Sequence, residues 1–330
     1  VMLCCGFVFV GLAEESYADQ IAEYFSDDPM VIRSKYSDTA VGENVSMVEC
    51  GNKVYCFGWN STQIYDTAAN TWTSAPVMLS LRSEYSAVEN GGKIYLVGGI
   101  IGNEVTDKVD IFDTETGTWS VGQEIPFGFV DGEAVSIGDN IYCFGGYDDV
   151  NHSVKSRDTY IYDTVNQTWS YDGYLPNGGV YTGVAVGSKI YCTAKYSGDG
   201  NYTYVYDTSN NVWSERQIRP SYSYGSVSNQ EGKLMKLGEF LIFINYGSDS
   251  GSKVRYAYMP DKDIWVVLPD KLPEMDLPAR RTTIIGDRIY TIKDSMHDGV
   301  MQGRLEITYI YSNQKIYTNR NNVAVGQRHI

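Results

Sequence analysis

The chain has 330 residues, enough for one domain with a sizeable core. Its 41 acidic and 26 basic residues leave a net charge of −15, which argues against nucleic acid and anionic membrane surfaces as partners. Twenty-eight tyrosines and a scarcity of long helical patterns favour an all-β fold.

Residues 1–13, Val1 to Ala13, form an apolar run without a charge. It is too short to span a membrane comfortably and resembles the core of a secretory signal peptide. Cleavage fits after Ala13 or Ala18, so residues 1–18 are expected to be a partial signal and the chain to be secreted or extracytoplasmic. A basic segment before the run is missing and residue one is Val, which fits a start lying upstream or an alternative start codon; a buried strand is the alternative to a signal. Residues 19–40 read as an N-terminal extension. Tyr17, Ile21, Tyr24 and Phe25 have helical spacing, Asp28-Pro29 would end that helix, and 30–36 suit an extended segment.

From residue 41 to 320 the chain repeats itself. Lys53-Val-Tyr-Cys-Phe-Gly58 returns as Lys93-Ile-Tyr-Leu-Val-Gly-Gly99, Asn140-Ile-Tyr-Cys-Phe-Gly-Gly146, Lys189-Ile-Tyr-Cys-Thr-Ala194, Phe240-Leu-Ile-Phe-Ile-Asn245 and Arg288-Ile-Tyr-Thr-Ile-Lys293. Each is preceded by a short run of small and β-branched residues and a Gly-containing turn, as in Gly183-Val-Ala-Val186. After it come Tyr65-Asp66, Phe112-Asp113, Tyr162-Asp163, Tyr206-Asp207 and Tyr258-Met259, each with a Trp seven residues beyond the aromatic: Trp72, Trp119, Trp169, Trp213 and Trp265. Alternating apolar runs bounded by Gly, Asn and Asp read as hairpins, four strands to a unit. A unit of this length that recurs this often is an array.

Ile-Tyr-x-x-Gly-Gly, then Tyr-Asp, then Trp at a fixed offset resembles the kelch repeat. The resemblance implies an all-β, kelch-type β-propeller with six recognisable four-stranded blades. It is complete in blades two and three; blade five lacks Gly-Gly and the Asp, and blade six has Tyr311-Ser312 with Tyr317 in place of Trp. The tail, 321–330, is expected to act as a closing strand against blade one or residues 30–36. Alternatively the termini form a partial seventh blade, or the chain is cut within another blade. Kelch propellers serve as enzymes, scaffolds and receptors alike, so the family fixes no single activity.

The motif residues have structural explanations. Paired glycines permit close backbone passage, Trp is an apolar wedge, and Asp accepts hydrogen bonds in a turn. Cys56, Cys143 and Cys192 share one repeat position on different blades, and together with Cys50 they are expected to be free thiols. His152, His297 and His329 fall in different parts of the array, so neither a metal nor any other cofactor is expected. Some plant kelch proteins carry an iron-site pattern Glu-x3-Asp-x3-His; here Asp148 and His152 fit, but Phe144 stands where Glu is required.

What remains is the mouth of the propeller, where loops converge on the axis. The expected ligand-binding residues are Arg82, Glu84, Asp131, Tyr147, Tyr181, Arg280 and Arg281, with Asn44, Ser83, Asn103 and Asp148 nearby. Such a ring suits a glycan or an acidic peptide. The chain is therefore expected to be a monomeric binding module for a protein or glycan ligand, and more readily a non-enzyme than an enzyme. The alternative is an extracytoplasmic sugar-active enzyme resembling the kelch sialic-acid mutarotase. There Arg280 or Arg281 would hold a sugar carboxylate, with Glu84 or Asp131 as general acid–base.

Overall fold

A computed structural model describes residues 31–33, 45–58, 61–196, 200–220, 231–246, 253–267, 282–286, 288–297 and 300–309. The alternating runs fold as antiparallel strands. In chain order these are β1 (Val31–Arg33), β2 (Ser46–Cys50), β3 (Lys53–Phe57), β4 (Thr62–Asp66), β5 (Thr71–Ala75), β6 (Ser86–Asn90) and β7 (Lys93–Val97). There follow β8 (Ile100–Ile101), β9 (Glu104–Val105), β10 (Val109–Asp113), β11 (Thr118–Val121), β12 (Glu133–Ile137), β13 (Asn140–Phe144), β14 (Asp158–Asp163) and β15 (Thr168–Tyr174). The rest are β16 (Tyr181–Val186), β17 (Lys189–Ala194), β18 (Thr203–Asp207), β19 (Val212–Arg216), β20 (Glu231–Leu237), β21 (Phe240–Tyr246), β22 (Lys253–Met259), β23 (Ile264–Val267), β24 (Thr282–Ile285), β25 (Arg288–His297) and β26 (Val300–Tyr309).

Five four-stranded sheets come from strands that follow one another in the chain: β2–β5, β6 with β7, β10 and β11, β12–β15, β16–β19 and β20–β23. The hairpin β8–β9 stands apart from the second sheet. The innermost strands β2, β6, β12, β16, β20 and β24 neighbour one another in that order, and β24 lies against β2, so the ring is closed. The result is an all-β propeller. Among the described residues there is no helix, and so none long and apolar enough to cross a membrane.

The sequence expectation of six like blades holds for five. The remaining sheet is a composite: β24, β25 and β26 accept β1 on the outside, with Val31 opposite Thr308 and Arg33 opposite Glu306. The extended segment near residue 31 pairs with β26. The tail 321–330, Tyr311-Ser312, Tyr317, the helix expected near 17–28 and residues 1–18 lie outside the described residues.

The motif now has physical reasons. Phe112 pairs with Trp119, Tyr162 with Trp169, Tyr206 with Trp213, and Tyr258 with Trp265 across the outer hairpin, which sets the seven-residue spacing. Each of these tryptophans donates its Nε1–H to the preceding blade: Trp119 to Pro76 O at 2.9 Å, Trp169 to Gln123 O at 2.9 Å, Trp213 to Thr159 Oγ1 at 3.0 Å and Trp265 to Thr203 Oγ1 at 2.8 Å. The wedge is thus also a staple between blades. Trp72 packs with Tyr65 against Tyr290, joining the first blade to the composite sheet. The Asp113 and Asp163 carboxylates each accept two turn N–H groups, from Glu115 and Thr116 and from Val165 and Asn166, and these bonds hold both acids below their ordinary range. Cys56, Cys143 and Cys192 are buried free thiols whose ionisation burial suppresses.

Candidate functional site

The mouth is built by the segments that lead into the innermost strands. Two residues ahead of β6 and β12, Glu84 and Asp131 occupy equivalent places in left-handed backbone, φ +56° and +52°. Such a conformation is uncommon for Glu and more readily tolerated by Asp. It turns both residues at the same step of the repeat, and Asp131 N–H donates to Glu84 O at 2.8 Å. The second glycine of each Gly-Gly pair makes room for this loop. A side chain at Gly99 would stand 2.4 Å from Ser83 O, and one at Gly146 would stand 2.6 Å from Val130 O. The motif glycines therefore seat the mouth.

Two clusters stand there. The Asp131 carboxylate accepts from Lys195 Nζ at 2.6 Å and from Tyr196 Oη–H at 2.6 Å. Glu84 Oε2 lies 2.7 Å from His152 Nε2, and the imidazole stacks on Tyr147 with ring centres 4.6 Å apart. Asp149 fixes the turn that presents His152 by accepting from Ser153 N–H and Val154 N–H. Between the inner strands lies a cavity of about 110 Å³, lined among others by Ser46, Glu84, Asp131, Glu133, Lys195 and Lys233.

Deeper in the mouth, side chains at equivalent positions of successive inner strands hand hydrogen bonds around the ring. Ser86 Oγ accepts from Ala134 N–H at 2.9 Å, Glu133 accepts from Gly183 N–H, Thr182 Oγ1 accepts from Leu234 N–H at 3.1 Å, and Lys233 Nζ donates to Thr282 O at 2.9 Å. Inner strands have an unpaired edge toward the axis, and these side chains satisfy it. Glu133 is the carboxylate of this relay. It touches the cavity yet is enclosed by the ring, and this loss of hydration pushes its carboxyl up to about 7. Lys195, Lys233 and the Gly183 N–H oppose the rise, and Asp131 adds to it. A carboxyl of this acidity, between ammonium groups, can accept or release a proton near neutral pH and can accept hydrogen bonds from a ligand.

Among the expected site residues, the structure brings Glu84, Asp131 and Tyr147 to the mouth. Arg82 is corrected: it is 1% exposed, its Nη2 lies 2.6 Å from Asp110 Oδ2, and its Nη1 donates to Gly98 O and Lys108 O. Its loop turns it inward to tie the second blade together. Tyr181 is also corrected: it is 1% exposed, packs edge-on to Tyr204, and donates its hydroxyl to Asn177 O. Arg280, Arg281 and Asn44 lie outside the described residues. Asp148 sits beside the mouth with its carboxyl raised by burial. Sequence reasoning missed Glu133, Lys195, Lys233 and the role of His152. A signal existed for Glu133, which stands in the repeat where Ser46, Ser86 and Thr182 stand in other blades. Among the described residues no three metal-ligating side chains converge.

Comparison with known proteins agrees with this architecture. The family model described as Kelch motif matches residues 81–125 and 129–173, the second and third blades. Kelch-like protein 35 of Mus musculus is 32% identical over 127 residues, 38% of this chain and 21% of that protein. Kelch-like protein 41b of Danio rerio is 27% identical over 139 residues, 38% of this chain and 23% of that protein. A putative F-box/kelch-repeat protein of Arabidopsis thaliana is 28% identical over 136 residues, 40% of this chain and 46% of that protein. The matches thus span less than half the length of each of these relatives. The solved structure of YjhT superposes with a TM-score of 0.66 at 15% identity, covering 84% of this chain and 97% of that one, a likeness of fold.

Proposed function

We propose, on the premise that this chain belongs to the kelch-repeat family, that it is an interaction module whose axial mouth binds a polar ligand, either a glycan or a polar segment of a protein. The observation that carries this reading is the convergence of Glu84, Asp131, Glu133, Lys195 and Lys233 on one axial cavity, with two of the carboxylates set on left-handed backbone. Several polar groups converging on one cavity from loops of a rigid scaffold are the usual make-up of a ligand site. We also place the chain outside the cytoplasm, on the apolar composition of residues 1–13. The test is a glycan array and a displayed peptide library, each screened with the purified chain and with Glu133→Gln and Lys195→Ala variants. Binding that falls by about tenfold or more in both variants supports the mouth, and binding indifferent to both moves the site elsewhere.

A second reading, a sugar-active enzyme, is favoured by Glu133 in particular. Exchange of sugar anomers requires proton donation and removal at the ring oxygen and the anomeric hydroxyl, and a carboxyl titrating at about 7 beside Lys195 and Lys233 suits both steps. Sialic acid followed by NMR after dissolution should then equilibrate faster with the wild-type chain than with Glu133→Gln. Equal rates in buffer and in protein would dismiss the enzyme.

A further inference from the structure

The third blade carries a second surface, on its outer rim and independent of the axial mouth. Its outer strand β15 runs for seven residues, against four or five in the other outer strands β5, β11, β19 and β23. Tyr171 lies opposite Tyr160 and Tyr174 opposite Asp158, so β15 advances three residues while β14 advances two. This is a β-bulge, and Gly173 takes the φ of +87° there with open space around it. In an unbroken strand residues 171 and 174 would face opposite sides. The bulge puts Tyr171 and Tyr174 on the same face, about 7 Å apart by strand rise. Asp172 between them turns the other way and accepts a hydrogen bond from Tyr206 Oη–H.

Neither tyrosine is core: they are 56% and 60% exposed. Their rings are nevertheless held. Tyr171 meets Tyr160 edge-on at 5.2 Å, Tyr160 stacks on Phe127 at 4.2 Å, and Phe127 meets the buried Phe129 at 5.6 Å. The Arg157 guanidinium lies 4.7 Å from the Tyr174 ring centre, and its Nε–H donates to Leu175 O. An anchored aromatic face that the fold leaves in water is a surface awaiting a partner.

The polar groups at its margin decide which partner. Arg157 offers a fork of donors, and the Asp158 carboxylate, close enough to act on both Tyr160 and Tyr171, offers acceptors. A pyranose has an apolar C–H face that lies flat on an electron-rich ring and a hydroxyl rim that both donates and accepts. A polyproline segment would suit the rings, but it has no N–H to give to Asp158. We propose that Tyr171 and Tyr174, flanked by Arg157 and Asp158, form a carbohydrate-binding platform for the pyranose rings of a linear glycan.

Cellohexaose, chitohexaose and mannohexaose are titrated into the full chain by calorimetry, with decaproline as a competitor class. The expected result is binding of at least one hexaose. Tyr171→Ala and Tyr174→Ala should each weaken it by about tenfold or more, Tyr171→Phe should keep it within about threefold, and Val267→Ala, an exposed change on the fifth blade, should leave it unchanged. In the wild-type chain, labelled tyrosine ring protons of residues 171 and 174 should shift on titration, a readout that needs no variant. No binding of any hexaose, binding insensitive to both alanines, or tyrosine-dependent binding of decaproline alone would each overturn the proposal. Failure of the axial mouth to bind anything leaves these outcomes unaffected.

Discussion

An ionised Glu133 sits where Lys195, Lys233 and a single backbone N–H only partly replace its lost hydration. Its carboxyl titrates at about 7 in the folded chain and near 4.5 when unfolded. Below the unfolded value both states are protonated and the group is neutral to stability. As pH rises from there, the unfolded chain ionises first, and stability falls until about pH 7, beyond which the penalty is constant. Glu133→Gln removes that penalty, so the variant should melt at the wild-type temperature near pH 4.5 and progressively above it toward pH 8. A melting difference that does not grow with pH would contradict the assignment. Arg82 and Asp110 behave differently, because each neutralises the other in the interior. Arg82→Ala strands the Asp110 carboxylate and should cost about 3–5 kcal/mol in urea denaturation.

At the scale of the element, the inner-strand relay makes a side-chain hydroxyl part of the backbone hydrogen-bond network. Thr182→Val keeps the shape but leaves Leu234 N–H without its acceptor, and should lower stability by about 1–3 kcal/mol. An unchanged denaturation midpoint would mean that water takes over the bond. The elements themselves were legible in the sequence, because Tyr-Asp, the seven-residue offset to Trp and the Ile-Tyr run are local patterns that each fold within one hairpin. The mouth was half legible. Glu84 and Asp131 could be placed from their position before an inner strand. Arg82, two residues from Glu84, could not, since only the course of the loop turns it toward Asp110 on β10. Lys195 was missed because it meets Asp131 across two blades, 64 residues away. Inter-blade partners of this kind leave no periodic trace. The bulge in β15 was likewise hidden: a single extra residue does not disturb the Tyr162-to-Trp169 spacing that precedes it.

At the scale of the molecule, the last sheet is completed by β1, a three-residue strand whose ladder to β26 covers its outer edge. Without it, the backbone of β26 would be exposed along that edge. Removing residues 1–36 should therefore lower the melting temperature and raise the mass seen in light scattering through association of the exposed edge. A truncated chain that stayed monodisperse with an unchanged melting temperature would show that β1 is dispensable. The sequence singled out this segment as extended and in want of a partner, but β26 could not be read from it, because backbone pairing of so short a strand carries almost no side-chain signature. The position of β1 also has a consequence in time. Arg33 emerges from the ribosome about 270 residues before its opposite number Glu306. At the usual 5–20 residues per second, that is a wait of roughly 14–55 s. Five blades can stack during that interval, each on the one before. The earliest of the described strands thus takes its place only after its partner β26 has been translated.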